Sequence, residues 1–316
     1  MDGRVLISDE VGGALVAAQP VVALESTIFS GLGLPEPANR ECLDRCVAAV
    51  RDGGGVPALT AVVDGRPVVG VDDADLDRVL AGSAKVAARD LPHAVATGLE
   101  VGVTTVSATV MLAAAAGIRT FATGGIGGVH RGAEVTGDVS HDLTALARHP
   151  VVTVSAGAKA FLDLARTLEH LEMLGVPVVG WRTDSFPAFY VRSSGLPVPA
   201  RVETAAEVAA MWRTARTLGH PGGVLVANPI PTEAELDPDR IEAALARALA
   251  HAAARGLRGP AVTPVVLAAI AEATGGDSVP ANLALAEHNA RVAAEIAIAL
   301  GDDDAEAVSA DGVRPR

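Results

Sequence analysis

Aromatic residues are scarce in this chain of 316 residues, at 3% of the sequence, with five Phe, two Trp and one Tyr. The apolar half of the composition is mainly Ala, Val and Leu. This favours small-residue helices packed on a Val-rich sheet over an aromatic-rich binding module. Cysteine is also rare, because only Cys42 and Cys46 occur, one helical turn apart and without a neighbouring His or Cys cluster. Their spacing argues against a disulfide framework and for reduced, partly buried thiols.

Positive charge is in deficit, with 25 Lys and Arg against 38 Asp and Glu and a formal net charge of −13. An acidic surface repels phosphate backbones, so we expect no nucleic-acid polymer as a partner. A small anionic substrate remains possible, because positive side chains and backbone amides can converge in one cleft whatever the overall charge.

Long hydrophobic runs are missing as well. The most apolar stretch, residues 106–118, contains Ser107, Thr109 and Gly117 and is too short to span a bilayer. The first residues lack the basic region and apolar run of a secretory signal. We therefore expect a cytoplasmic protein with no membrane partner.

Short β-branched runs alternate with amphipathic segments along most of the chain. The predicted strands are residues 21–26, 57–63, 66–71, 119–123, 151–155, 176–181 and 223–228. The predicted helices are residues 36–53, 104–117, 159–175, 204–218, 239–255 and 282–300. This alternation predicts an α/β fold, a single α/β/α domain with a mostly parallel, possibly mixed, central sheet. We expect the catalytic domain to cover residues 1–301 and a charged flexible tail to cover residues 302–316.

A glycine-rich segment follows the predicted strand that ends at Thr123. Five glycines lie within residues 124–132, and His130 and Arg131 stand beside them. Converging backbone N–H groups and a basic pair are suited to binding an anion at the end of a strand. The spacing matches neither the dinucleotide fingerprint nor the P-loop. A flexible or tightly turning loop without a ligand is the alternative.

Two acids, Asp138 and Asp142, lie four residues apart with Ser140 between them. Small divalent cations such as Mg²⁺ and Mn²⁺ often take one or two protein carboxylates and complete their shell with water. Capping of a helix N-terminus by Ser140 or Asp138 explains the same pattern equally well.

Lys159 is a lone lysine among small apolar residues, after a Val-rich strand and at the start of a predicted helix. Burial and the positive end of the helix dipole both disfavour the ammonium form, which would leave a nucleophilic amine. A lysine that packs its stem and extends its charge to solvent is the alternative.

Glu25 closes the first hydrophobic strand, at the sheet edge where parallel sheets place their active sites. Removal from water would raise the pKa of this carboxyl and suit it to proton transfer. An ordinary strand-end acid paired with an Arg explains the position equally well.

Together these segments resemble the pseudouridine-5′-phosphate glycosidase family over residues 20–300, nearly the whole chain. The most specific match is the 21-residue block ATGGIGGVHRGAEVTGDVSHD at residues 122–142. The shorter matches are ALEST at 23–27, KV at 85–86, RDLP at 89–92, SAGAK at 155–159, GVPVVG at 175–180, FPAF at 186–189, VANPIP at 226–231 and TGG at 274–276.

The resemblance implies a role for individual residues. Lys159 would be the covalent nucleophile and Glu25 the proton donor, and Asp138 would hold one Mn²⁺ per subunit largely through water. The implied substrate contacts are Lys85, Val106, Thr123, His130, Ser140, Asp142 and, as a weaker candidate in the late helix, Asn289. His141 replaces an Ala of the family motif, so Ser140 and Asp142 carry more weight than His141. Family members form trimers, and the resemblance implies a homotrimer here.

The implied reaction is reversible cleavage of the C-glycosidic bond of pseudouridine 5′-phosphate to uracil and ribose 5-phosphate. Ordinary glycosidases use two carboxylates, because a protonated oxygen departs readily. Carbon 5 of uracil is a poor leaving group, and a Schiff base between Lys159 and C1′ would supply the electron sink. A Schiff-base aldolase or C-glycosidase for another sugar phosphate, or a non-catalytic sugar-phosphate sensor, are the competing interpretations.

Overall fold

A central sheet of eleven strands organises the computed structural model, which describes residues 5–257 and 262–310. A separate two-stranded sheet is formed by β8 and β10. The strands are β1 (Leu6–Ile7), β2 (Val21–Leu24), β3 (Val56–Val63), β4 (Arg66–Val69), β5 (Lys85–Val86), β6 (Val101–Thr104), β7 (Thr120–Ala122), β8 (Val129–His130), β9 (Val152–Ser155), β10 (Leu162–Asp163), β11 (Val178–Trp181), β12 (Ala200–Val202) and β13 (Val224–Ala227).

The middle of the sheet is parallel, in the order β3-β2-β7-β9-β13-β11-β12. On the β3 side it becomes mixed, because β4 and β6 both pair with β3 in the antiparallel sense. The strands β2, β9, β11 and β13 are buried along their whole length. Continuously buried strands of this kind are typical of a sheet covered on both faces. The predicted mostly parallel, possibly mixed, sheet is confirmed.

Helices connect the strands and cover the sheet. They are α1 (Asp9–Val16), α2 (Ala38–Asp52), α3 (Asp73–Leu80), α4 (Leu91–Ala96), α5 (Val106–Ala116), α6 (Ala133–Thr136), α7 (His141–Arg148), α8 (Leu164–Met173), α9 (Ala205–Thr217), α10 (Pro238–Ala254), α11 (Val262–Ala273) and α12 (Ser278–Ala310). One group is built around α12, which packs against α2, α9, β7 and β9, and another around α5, which packs against α7 and β2. The predicted α/β/α fold class is confirmed.

Two predicted boundaries differ from the structure. The helix expected to begin at Lys159 begins at Leu164, because Asp163 caps it by accepting a hydrogen bond from the backbone N–H of Arg166. The last helix continues to Ala310, past the predicted boundary at residue 301, and residues 311–316 of the predicted tail lie outside the described residues. The division between domain and tail stays a prediction.

The length and apolarity of the helices bear on the prediction that the protein has no membrane partner. Within residues 5–257 and 262–310, the helices lack the combination of length and apolarity needed to cross a bilayer.

Candidate active site

A cavity of about 550 Å³ lies where several strands end at their carboxyl edge. Glu25 follows β2, Lys85 lies in β5 and Lys159 comes four residues after β9, and all three line this cavity. Open α/β sheets place their ligands at this edge, because the loops that follow parallel strands meet there. Tertiary structure thus brings together two catalytic candidates and one substrate-binding candidate from distant parts of the sequence.

Glu25 is the buried acid of the cavity, with 4% of its surface exposed. The Thr123 hydroxyl donates a hydrogen bond to its Oε1 atom. Burial raises the pKa of Glu25, and the negative charge of Asp142 adds to this, against the lowering effects of Lys159, the Thr123 hydrogen bond and Lys85. The net shift is upward, so Glu25 keeps its proton to higher pH than a free glutamate, as a general acid must.

Lys159 lies in a turn that is hydrogen-bonded to the neighbouring loops. Its backbone N–H donates to Ile126 O at 3.0 Å, and Ile126 N–H donates back to Gly157 O at 3.0 Å. Gly157 has a φ of 80°, and a Cβ there would lie 2.2 Å from Pro187 O. Only glycine fits such a left-handed close approach. Backbone pairing therefore positions Lys159 at the cavity wall, and the predicted placement at the positive end of a helix is wrong.

Lys85 stands at the rim of the cavity, where it is exposed. Partial removal of its ammonium from water lowers the pKa of Lys85, and the positive charge of Lys159 lowers it further, while Asp142 and Glu25 act in the opposite direction. The charges of Lys159 and Glu25 therefore both influence the pKa of Lys85 across a single cavity.

The glycine-rich segment packs closely against its surroundings, and its residue Gly125 lines the cavity. A Cβ on Gly125 would lie 2.6 Å from the Phe189 ring, so the ring fits here only because glycine has no side chain. Gly127 N–H donates to Asp142 Oδ2 at 2.9 Å. Close packing therefore explains part of the glycine pattern at residues 124–132, and the anion site stays a prediction. Arg131 is exposed.

Asp142 links two elements of the scaffold. Besides Gly127, its carboxylate accepts a hydrogen bond from Ser107 N–H at 2.9 Å, at the first turn of α5. Ser140 caps α7 by accepting from Asp142 N–H, which confirms the capping interpretation for Ser140. Val106 is 1% exposed. Val106, Ser140 and Asp142 do not line the described cavity, and their contact with substrate stays a prediction.

Asn289 also lies outside the cavity lining of the described chain. Its Nδ2 donates to Thr123 O at 2.8 Å, and its Oδ1 accepts from Asn228 Nδ2 at 2.9 Å. Asn282, seven residues earlier on the same helix, does line the cavity and donates to the Tyr190 hydroxyl at 2.9 Å.

Sequence reasoning missed an aromatic wall. Phe161, Phe189 and Tyr190 line the cavity, and the Phe189 and Tyr190 rings meet edge to face with centroids 4.7 Å apart. They are the chain's only Tyr and two of its five Phe. In an aromatic-poor sequence, the adjacent pair at residues 189–190 is the signal that could have pointed to a ligand pocket.

The candidate metal ligand Asp138 lies beside His130, with 3.7 Å between Asp138 Oδ2 and His130 Nδ1. Burial lowers the pKa of His130, against the raising effect of Asp138. Among the described residues, no three His, Cys, Asp or Glu side chains form a metal-binding group. A single partly exposed carboxylate, 32% accessible, suits an ion that keeps most of its water and not one caged by protein.

Comparison with known proteins places this site in a family. The profile of the family described as Indigoidine synthase A like protein matches residues 10–299. A pseudouridine-5′-phosphate glycosidase of Methylobacterium nodulans is 54% identical over 295 residues, 92% of this chain and 86% of the relative. One of Chloroflexus aurantiacus is 50% identical over 302 residues, 94% of this chain and 98% of the relative. The chain belongs to the pseudouridine-5′-phosphate glycosidase family. The resemblance found in the sequence, and with it the prediction of an enzyme, is confirmed.

Two solved structures share the fold of this chain. The prealnumycin C-glycosynthase AlnA, in complex with ribulose 5-phosphate, is 39% identical with a TM-score of 0.89, over 97% of this chain and 100% of that one. An indigoidine synthase A-like protein of Thermotoga maritima is 37% identical with a TM-score of 0.84, over 94% and 97% of the two chains.

Proposed function

We propose that this enzyme reversibly cleaves the C-glycosidic bond of pseudouridine 5′-phosphate to give uracil and ribose 5-phosphate. The observation that carries the proposal is that Lys159 and Glu25 line the same cavity, and that Glu25 is buried and has a raised pKa. An amine and an acid are what the reaction needs, because carbon 5 of uracil departs only when it is protonated and when a nitrogen lone pair can stabilise the C1′ carbon that it leaves. The names of the relatives and the ribulose 5-phosphate bound by AlnA support the substrate class.

The reaction proceeds in three steps. The Lys159 amine bonds to C1′, the C1′–O4′ bond breaks, and O4′ takes a proton. Glu25 then protonates C5 of uracil, and the C1′–C5 bond breaks as the nitrogen lone pair forms the C=N bond of a Schiff base. Water adds to this Schiff base and expels the amine, which releases ribose 5-phosphate and regenerates Lys159.

Different groups of the cavity wall suit the two parts of the substrate. Lys85 and the glycine-rich segment provide positive charge and backbone amides for the phosphate end. Phe189 and Tyr190 provide flat apolar surface for the base. Asn282, fixed by its hydrogen bond to Tyr190, offers an amide for the imide edge of uracil.

We infer that Asp138 holds one Mn²⁺ largely through water, beside His130. When bound, such an ion would supply positive charge to offset that of the phosphate. The partly exposed carboxylate leaves room for the water ligands that such an ion retains.

We also infer a cytoplasmic homotrimer. The family resemblance supports the trimer, and a phosphorylated nucleotide as substrate supports the compartment. Light scattering during size-exclusion chromatography measures the assembly, and a mass of one subunit would contradict it.

Uracil release tests the proposed function. Purified enzyme with Mn²⁺ and pseudouridine 5′-phosphate should produce uracil and ribose 5-phosphate in equal amounts, measured by chromatography. Pseudouridine without its phosphate is the matched substrate control and should react more slowly, because it lacks the anion for Lys85. Absence of uracil would refute the proposal, and carbon–carbon cleavage within the sugar would favour the aldolase.

A further inference from the structure

A buried amide supports the strand end next to the candidate acid. Asn289 is 1% exposed and lies on α12, and its Nδ2 donates to Thr123 O at 2.8 Å and more weakly to Gly124 O at 3.4 Å. Its Oδ1 accepts from Asn228 Nδ2 at 2.9 Å, which fixes the orientation of the Asn289 amide. Asn228 is itself held after β13, because its N–H donates to Ser155 O at 2.8 Å.

Hydrogen bonds hold the backbone of Thr123 at both its N–H and its carbonyl. Thr123 N–H donates to Val154 O at 3.0 Å, and its carbonyl accepts from Asn289. A threonine whose backbone is fixed and whose χ1 has few rotamers directs its hydroxyl in one direction. Here that direction is toward Glu25, because the hydroxyl donates to Glu25 Oε1. The hydrogen-bonded path therefore runs from Asn228 through Asn289 and Thr123 to Glu25.

We propose that Asn289 is a positioning residue, which holds Thr123 so that the Thr123 hydroxyl fixes the Glu25 carboxyl for proton transfer. The catalytic part of this inference rests on the proposed role of Glu25 as the acid. Asn289 itself touches no part of the cavity among the described residues. Its contribution is geometric, since a proton donor must be held close to the correct orientation to act.

Asn282 provides an internal comparison. Seven residues, about two turns, separate it from Asn289, so both project from the same face of α12. Asn282 lines the cavity and bonds Tyr190, whereas Asn289 bonds backbone behind the cavity. Loss of the Asn282 amide should therefore raise KM for pseudouridine 5′-phosphate, and loss of the Asn289 amide should lower kcat.

The test uses Asn289→Leu, which keeps the volume and removes the amide, beside Thr123→Val and the double variant. We expect Asn289→Leu to lower kcat on the order of 10- to 100-fold with little change in KM. In the Thr123→Val background it should have almost no further effect, because two residues that act through one contact are not additive. Additive losses in the double variant would overturn the proposal.

The pH profile gives a readout that a purely structural role would not move. The Thr123 hydroxyl stabilises the carboxylate, so loosening it should raise the pKa of Glu25 and move the basic limb of kcat/KM to higher pH. The other charged groups that act on Glu25, which are Lys159, Lys85 and Asp142, are unchanged in these variants. An unshifted profile would contradict the proposal.

Two further measurements keep the inference testable by itself. NMR titration of the Glu25 carboxyl in free enzyme, assigned with Glu25→Gln, should show the upward shift in Asn289→Leu even if the wild type releases no uracil. A failed uracil assay then refutes the proposed function alone, and an unmoved Glu25 titration refutes the positioning role. If Asn289→Leu does not fold, Asn228→Ala, which removes the donor to Asn289 Oδ1, should shift both readouts in the same direction by less.

Discussion

Two regions of the candidate site are built differently. The acid end, formed by Glu25, Thr123 and Asn289, is buried and joined by hydrogen bonds through backbone and side chains. The outer loop, residues 130–138, places His130 and Asp138 side by side at 3.7 Å with partial exposure. The difference indicates that the protein fixes the orientation of the acid during folding, while the Asp138 carboxylate of the outer loop stays accessible to a ligand or an ion.

The largest expected effect comes from Lys159, whose charge acts on both regions, since it influences the pKa of Glu25 and of His130. Lys159→Ala should abolish turnover and leave the fold intact, because one amine forms the covalent bond. Borohydride reduction with ribose 5-phosphate should trap an adduct on Lys159 of the wild type, identified by peptide mass spectrometry. An adduct on another lysine would refute the assignment.

Substitution at the acid end should have the next largest effect. Glu25→Gln keeps the shape and the hydrogen bond with Thr123 but has no acidic proton, so uracil release should slow on the order of 10²–10⁴-fold. Single-turnover release and borohydride trapping with ribose 5-phosphate should be measured together. Slow release with intact trapping supports the proton donor, whereas loss of both indicates that Glu25 holds the sugar or the fold.

The pH dependence of the wild type tests the same residue. The pKa of Glu25 is raised, and a donor is active only while protonated, so release should fall as pH rises through that elevated pKa. Glu25→Gln should flatten this basic limb of kcat/KM. Retention of the limb in the variant would assign it to another group.

The outer loop should show the smallest effect. Asp138→Ala should weaken the response to Mn²⁺ and reduce activity less than Glu25→Gln, because one water-mediated carboxylate provides few direct bonds to the ion. Chelation followed by addition of Mn²⁺ or Ca²⁺ measures the requirement, and Mn²⁺ should restore activity better. Full activity in chelator, or a wild-type metal response in Asp138→Ala, would remove the ion from the mechanism. The comparison of the two regions would then rest on the acid end alone.

The position of the strands was predictable because each core strand is a short apolar run closed by a polar or small residue. The runs at residues 21–24, 152–155 and 224–227 are buried on both faces, so composition alone identified them. The strand β6 was missed, and its last residue was assigned to the predicted helix at residues 104–117, because its antiparallel pairing with β3 depends on a distant partner.

The sequence by itself identified the family, because the glycine-rich block and the motifs that contain Glu25 and Lys159 resemble it over nearly the whole chain. Tertiary structure alone decided which polar residues face the cavity. Asn282 and Asn289 are the same residue type on the same face of one helix, yet one lines the cavity and the other holds Thr123. Likewise, Lys159 is placed by pairing with Ile126 and not by a helix end. These outcomes depend on contacts between segments far apart in the chain, which no local pattern encodes.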